Sequence, residues 1–216
     1  MRHFTKRQSK QQEAERLAAL ARYNILDTLP EPAYDDVVEI ASCIAGAPVA
    51  IIGLLDDNDR QWFKAKVGLD VDQVPRHKTF CNRLVDHPDA VLVIPDTRND
   101  AIVGKHPDMM VDSAIRFYMG APLLTADRQV IGSLCVVDYQ PKQVNDAQKQ
   151  AMAALARQVM QLLELRYRNR EIRELLSERA VQMRELSNYQ VLLEQHNRQL
   201  LTESRTDRLT KIGNRA

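Results

Sequence analysis

Val49-Ala-Ile-Ile-Gly-Leu-Leu55, then Asp56-Asp57-Asn58-Asp59, then Arg60-Gln-Trp-Phe-Lys-Ala-Lys-Val67 is the stretch on which the fold turns. The first seven residues are an unbroken apolar run between Pro48 and an acidic cluster, which marks a buried strand; the last eight return as a second strand. Two strands joined by a short polar turn make a hairpin. Calcium would require Gly at the sixth place of such a loop and Glu at the twelfth. Counted from Asp56, those places hold Gln61 and Val67, so the acidic cluster reads as a turn.

On the N-terminal side the periodicity is helical. Residues 1–12 read as a frayed start, and Glu13 to Tyr23 forms a short helix with Leu17, Ala18, Leu20 and Ala21 apolar. Pro30 and Pro32 break the chain, and Ala33 to Ala45 forms a second helix closed by Gly46. On the C-terminal side, Asp70 to Lys78 reads as a loop, with Thr79 as N-cap of a short helix that ends before Pro88. Val91 to Ile94 is a short strand and Asp96 to Asp112 an irregular excursion. Ile115 to Thr125 and Gln129 to Tyr139 then form a second hairpin. Helices at both ends of mostly antiparallel strands define an α+β domain.

From Asp146 to Ser204 no Pro or Gly interrupts. Leu165, Ile172, Arg179, Leu186, Leu193 and Leu200 recur every seventh residue, and Leu162, Asn169, Leu176, Met183, Gln190, Asn197 and Ser204 form the companion series. One helix on the order of 85 Å long is expected, too long to bury on a small domain. Aliphatic residues in one series beside buried amides in the other favour a parallel two-stranded coiled coil, hence a homodimer. The polar positions make that seam weak, which suits a helix that shifts between states.

The 216 residues, 44% hydrophobic, suffice for one cored domain plus an extended element. A net charge of +1, with Lys and Arg mixed among Glu, gives no nucleic-acid footprint. The strongest apolar run is too short to cross a bilayer, and the polar, basic start has no signal-peptide character, so no membrane partner and a cytoplasmic location are expected. Three cysteines, Cys43, Cys81 and Cys135, without CxxC spacing indicate a reduced chain without a disulfide framework. His77, His87 and His106 lack partners at ligand spacing, so no metal site is expected.

Several spaced motifs occur in one order: Tyr23-Asn-Ile-Leu-Asp-Thr-Leu-Pro-Glu31, Asp59-Arg-Gln-Trp-Phe-Lys64, Phe80-Cys81, Ile115-Arg-Phe-Tyr118-Met-Gly-Ala-Pro-Leu123 and Ile131-Gly-Ser-Leu-Cys-Val-Val-Asp138. Together they resemble the GAF family of bacterial sensory domains, over about residues 17 to 166. The tail, with Asp207, Leu209, Thr210, Asn214 and Arg215, is similar to the entry of a GGDEF domain, the module that makes cyclic di-GMP from two GTP molecules; Ile212 stands where Leu is usual. The resemblance implies residues 13–166 as a GAF domain, 167–204 as a signalling helix and 205–216 as the start of a cyclase. The cyclase's metal carboxylates and signature would lie beyond Ala216. The chain as given is therefore expected not to be an enzyme, and the full-length protein to be a diguanylate cyclase. Two alternatives stand beside this reading: a GAF-type free methionine sulfoxide reductase, and a ligand-free structural dimerisation domain.

Against that background Trp62, Lys64, Phe80, Cys81, Asp96, Arg116 and Tyr118 are the candidate ligand-binding residues. Cys81 begins the short helix that faces the pocket in this resemblance, as a reactive thiol or a buried filler. Asn82 follows it where bilin-attaching relatives commonly have His, which argues against a bilin, and no cofactor is predicted. Trp62 and Lys64 alternate onto one strand face, either as an aromatic plane beside a cation for a small ligand or as core cap and surface charge. Arg116 and Tyr118 share a face of their strand, and Arg116 must find a carboxylate, Asp96 or Asp138, or a ligand. For the reductase, Cys43 in a helix and Cys135 in the last strand are poorly placed as resolving thiols. The seven scattered glycines form no phosphate loop.

Overall fold

The computed structural model describes residues 10–57, 59–101, 103 and 114–205. The cyclase-like tail residues Asp207, Leu209, Thr210, Asn214 and Arg215, and His106, lie outside them. The elements run α1 (Lys10–Tyr23), α2 (Pro32–Ala45), β1 (Val49–Leu55), β2 (Arg60–Val67), β3 (Gln73–Pro75), α3 (Cys81–Asp86), β4 (Leu92–Ile94), β5 (Phe117–Leu124), β6 (Val130–Asp138) and α4 (Asp146–Arg205). Six strands form one antiparallel sheet in the order β3-β2-β1-β6-β5-β4, so the two expected hairpins meet along β1 and β6. By contacts the chain divides into two units, Met1–Tyr167 and Arg168–Ala216.

Local signals set the helix ends. Pro32 occupies the first turn of α2, where its missing N–H costs nothing, and Gly46 closes the helix in the left-handed conformation at φ 59°, where its N–H reaches the Cys43 carbonyl. Strand and helix ends shift by one or two residues at several places, and three departures from expectation have a local cause. Helix α1 begins at Lys10 rather than Glu13, extended by a Gln11–Glu15 hydrogen bond one turn apart. The expected loop before α3 holds β3, which pairs with the start of β2, and a 3₁₀ turn, Arg76–Lys78. Thr79 is not an N-cap: its hydroxyl donates to the Arg76 carbonyl and closes that turn, and Phe80 precedes α3 without a capping side chain.

The sheet is covered on both faces. Toward the helices, Ala50, Ile52 and Leu54 of β1, Trp62 of β2, Met119 and Ala121 of β5, and Leu134 and Val136 of β6 pack on α1, α2 and α4. Helix α4 meets them with Met152, Ala156, Val159 and Leu163, a 4-3-4 spacing that keeps one stripe inward. Each fully buried aliphatic side chain contributes roughly 2 kcal/mol. Leu162, assigned by its spacing to the seam, packs partly buried against this same core. Toward the other face, Val49, Ile51, Phe63, Phe80, Ile94, Tyr118, Cys135 and Val137 form a second, smaller cluster.

A bulge in β2 sorts its residues. Ile52 pairs with Ala65 and Gly53 with Phe63, which leaves Lys64 as the extra residue. Its buried ammonium donates to Thr28 Oγ1 (3.0 Å), the Leu29 carbonyl (2.6 Å) and Glu31 Oε1 (2.8 Å), and lies 5.1 Å from the Tyr34 ring centre. Glu31 also receives Arg166 of α4 at 2.6 Å. Lys64 is buried while Glu31 is partly exposed, so Glu31→Gln, which takes the counter-charge from the ammonium, is expected to lower stability by about 1–2 kcal/mol in urea unfolding. Lys64→Met, which removes the buried charge itself, should cost less.

Candidate functional site

Three strands and a short helix bring a set of polar side chains to one sulfur. Cys81, first residue of α3, is buried, with its Sγ 2.8 Å from Ser133 Oγ, 3.0 Å from Gln61 Nε2 and 3.7 Å from the Tyr118 hydroxyl. Cys135 is buried beside this set, in the cluster that holds Phe80 and Tyr118. Ser133 and Cys135 are two apart on β6 and so project to the same face. Their cross-strand neighbours make the arrangement possible. Gly53 of β1 pairs with Ser133 and Gly120 of β5 with Cys135. A Cβ on Gly53 would lie 2.1 Å from Gln61 Nε2, and one on Gly120 2.2 Å from the Tyr118 hydroxyl. Glycine on either side of β6 therefore admits the two polar side chains that reach the thiol.

The electrostatics follow from these contacts. The Cys135 thiol, and against burial the Ser133, Tyr118 and Gln61 donors, favour the Cys81 thiolate and bring its pKa down to about 7. Its partner moves the other way: sharing its hydrogen bond with Cys81, and burial, push the Cys135 thiol well up. Burial and the neighbouring sulfur likewise raise Tyr118, so its hydroxyl stays a proton donor. Of the two cysteines, Cys81 is thus the one favoured as thiolate and Cys135 the one favoured as protonated thiol.

Above the sulfur lies a cavity of about 110 Å³, walled by Ile51, Leu69, Val74, Phe80, Ile115 and Val137, with Gln61, Cys81, Tyr118 and Cys135 among its polar lining. Its walls are mostly apolar. Among the described residues no Asp or Glu lines it, and Lys78 is its charged residue. The Phe80 ring packs against Tyr118, the ring centres 4.8 Å apart and the planes tilted by 49°. The helix carrying Cys81 is also tied outward. Asn82 accepts from Arg76 Nε (2.8 Å), Arg76 pairs with Glu13 of α1, and Glu13 also holds the buried Arg16, which donates to the Leu55 carbonyl at 2.7 Å. Burial alone would raise the Glu13 carboxyl, but hydrogen bonds from Arg16 and Arg76 outweigh it and hold it at about 2.

Of the residues chosen from sequence, Phe80, Cys81 and Tyr118 meet at this cavity. Trp62 and Lys64 do not: they lie on the helix-covered face, Trp62 in the core and Lys64 bound to Glu31 rather than turned to water. Arg116 makes a two-pronged pair with Asp96, at 2.9 and 2.8 Å, while Asp138 pairs with Lys142. Tyr118, expected on the Arg116 face, shares the cavity with Ile115, because regular strand begins only at Phe117. Cys135, expected to be poorly placed as a resolving thiol because it sits in the last strand, lines the cavity together with Cys81, and Gln61 and Ser133 were missed. Lone glycines inside strands, at positions 53 and 120, were the available signal. In the acidic turn, Asp56 is buried and holds Arg60, and Asp59 pairs with His77 at 2.8 Å. Among the described residues no three His, Cys, Asp or Glu are grouped to hold a metal, and no helix is long and apolar enough to cross a membrane.

This architecture is that of a known class of sensory domain. The family model for the GAF domain matches residues 29–163, and the chain belongs to that family. A cyclic di-GMP phosphodiesterase of Pseudomonas aeruginosa is 34% identical over 130 residues, which are 60% of this chain but only 22% of that protein. Among solved structures, a bacteriophytochrome of R. palustris superimposes with a TM-score of 0.59 at 14% identity, covering 85% of this chain and 45% of that one. The GAF domain of an Acinetobacter phosphoenolpyruvate-protein phosphotransferase gives 0.50 at 18% identity, covering 73% and 95%.

The thiolate itself is measurable. Absorbance at 240 nm should rise with a midpoint near pH 7 for Cys81, and Ser133→Ala, which removes a donor to the anion, should move that midpoint upward.

Proposed function

We propose that this chain is the GAF sensory part of a cyclic di-GMP signalling protein, working in the cytoplasm as a homodimer. Two copies of α4 pair as a parallel coiled coil, and the state of the Cys81 cavity biases that pair. The output is a GGDEF cyclase entered through Asp207–Arg215. The identity shared with the Pseudomonas aeruginosa phosphodiesterase supports the nucleotide, and the resemblance of the tail supports its synthesis rather than its hydrolysis.

The observation that carries this reading is the surface of α4. Leu165, Ile172, Leu176, Met183, Leu186, Leu193 and Leu200 are 52–60% exposed, and every residue from 171 to 201 is exposed. Apolar side chains repeating at that spacing leave water only by meeting another helix. Asn169 and Asn197 pair best with their own copies, which favours parallel, in-register helices at a cost in stability. Such a seam gives arrangements close in energy, so a modest bias at one end shifts their populations. A cyclase that must bring two GTP molecules face to face gains rate from that positioning.

A cavity of about 110 Å³ lies well below the roughly 300–1,000 Å³ of drug-sized ligand sites, so its ligand has only a few heavy atoms and is mostly apolar. Light scattering across a concentration series tests the mechanism. A dimer is expected at tens of micromolar, and Leu186→Asp with Leu193→Asp should make it a monomer with its domain still folded by circular dichroism. A native chain that is strictly monomeric there would remove the mechanism.

A further inference from the structure

We propose that Cys81 and Cys135 are a redox-active pair, with Cys81 as the attacking sulfur and Cys135 as the resolving one, and that their oxidant is a small uncharged organic hydroperoxide entering the apolar cavity. The proposal deepens the sensory reading by naming its input, yet the chemistry stands whether or not a cyclase follows.

Three observations carry it. Both thiols are buried and line the one cavity, although they come from α3 and β6, far apart in the chain. Gln61, Ser133 and Tyr118, all buried, converge on the Cys81 sulfur, and two strand positions are glycine where any side chain would displace Gln61 or Tyr118. A sulfur that served only as core filler would need no such set of donors. The cavity over that sulfur then selects the reagent. Among the described residues its walls are mostly apolar and its lining holds no carboxylate. An ammonium would therefore find no counter-charge, which disfavours an amino acid such as free methionine sulfoxide and suits a neutral alkyl peroxide.

The steps balance. The Cys81 thiolate attacks the distal oxygen of the hydroperoxide; an S–O bond forms, the O–O bond breaks, and the alkoxide leaves and takes a proton from Tyr118, which solvent restores. Cys81 is now a sulfenic acid. The Cys135 sulfur attacks the Cys81 sulfur, the S–O bond breaks, and the hydroxyl leaves as water with the Cys135 proton. Two thiols have lost two electrons, and one hydroperoxide has become one alcohol and one water. The new bond replaces the hydrogen-bonded set around Cys81 and draws on α3, whose Asn82 is held by Arg76 and, through it, by Glu13 of α1. Cellular thiols reverse it.

The test uses the whole chain and tert-butyl hydroperoxide. Oxidised wild-type protein, alkylated and digested without reductant, should yield the Cys81–Cys135 linked peptide and lose it with dithiothreitol, while exposed Cys43 stays alkylated. Cys135→Ala should instead stop at a Cys81 sulfenic acid that dimedone traps. The apolar wall should make tert-butyl hydroperoxide react about tenfold faster than hydrogen peroxide, the effect of burying roughly two methyl groups. Consumption of Cys43 with Cys81 left alkylated would overturn the proposal, as would linkage by free methionine sulfoxide but not by the hydroperoxide. The wild-type digest needs no variant to fold. A dimer without thiol oxidation would sink this chemistry and leave the sensory reading standing; the linked peptide from a strict monomer would do the reverse.

Discussion

A sheet covered on both faces leaves no place for a polar side chain without a partner. That constraint governs this molecule, because unpaired polar groups in low dielectric cost far more than their pairing returns in water. Each buried polar residue shows how it is met. Arg16 spends its guanidinium on Glu13 and a strand carbonyl, Lys64 is enclosed by three oxygens, and Gln61, Ser133 and Tyr118 turn toward one sulfur. Among the described residues the Tyr34 hydroxyl is the buried side-chain group without a hydrogen-bond partner. It sits beside the Lys64 ammonium, which uses the face of its ring instead.

Much of this fold was legible because its signals are local. The apolar run at Val49–Leu55, the turn of Asp56–Asp59 and the return from Arg60 to Val67 specify the first hairpin with its bounds, and Pro32 with Gly46 bracket α2. What was not legible depends on register. A single extra residue at Lys64 turns Ala65 to the opposite face, and strict alternation from Arg60 cannot foresee it. The three residues of β3 look like loop because pairing to β2, rather than pattern, makes them a strand. Half of the site was missed for the same reason. Phe80, Cys81 and Tyr118 stood out as types, but Ser133 and Cys135 acquire meaning only once β6 lies beside β1 and β5.

The same contacts give the site a physical connection to the helices. Arg76 bridges from the turn before α3 to Glu13 on α1, and the Tyr23 hydroxyl of α1 donates to Glu164 of α4 at 2.5 Å, with its ring edge-on to Tyr167. Glu31 joins β2 to α4 through Lys64 and Arg166. These bonds link both faces of the sheet to the base of α4. A contiguous network is a route only where some element has two arrangements, and the polar-punctured heptads of α4 supply that property in the sensory reading.

The outermost strands, β3 and β4, are three residues each, and β3 ends on Pro75. Long open borders recruit strands from neighbouring chains, and short borders stopped by an imino acid offer little to copy. Growth of the sheet from molecule to molecule, the usual hazard of an antiparallel β-protein, is thereby discouraged. In the proposed dimer, self-recognition is left to side chains on a helix, where sequence rather than backbone chooses the companion.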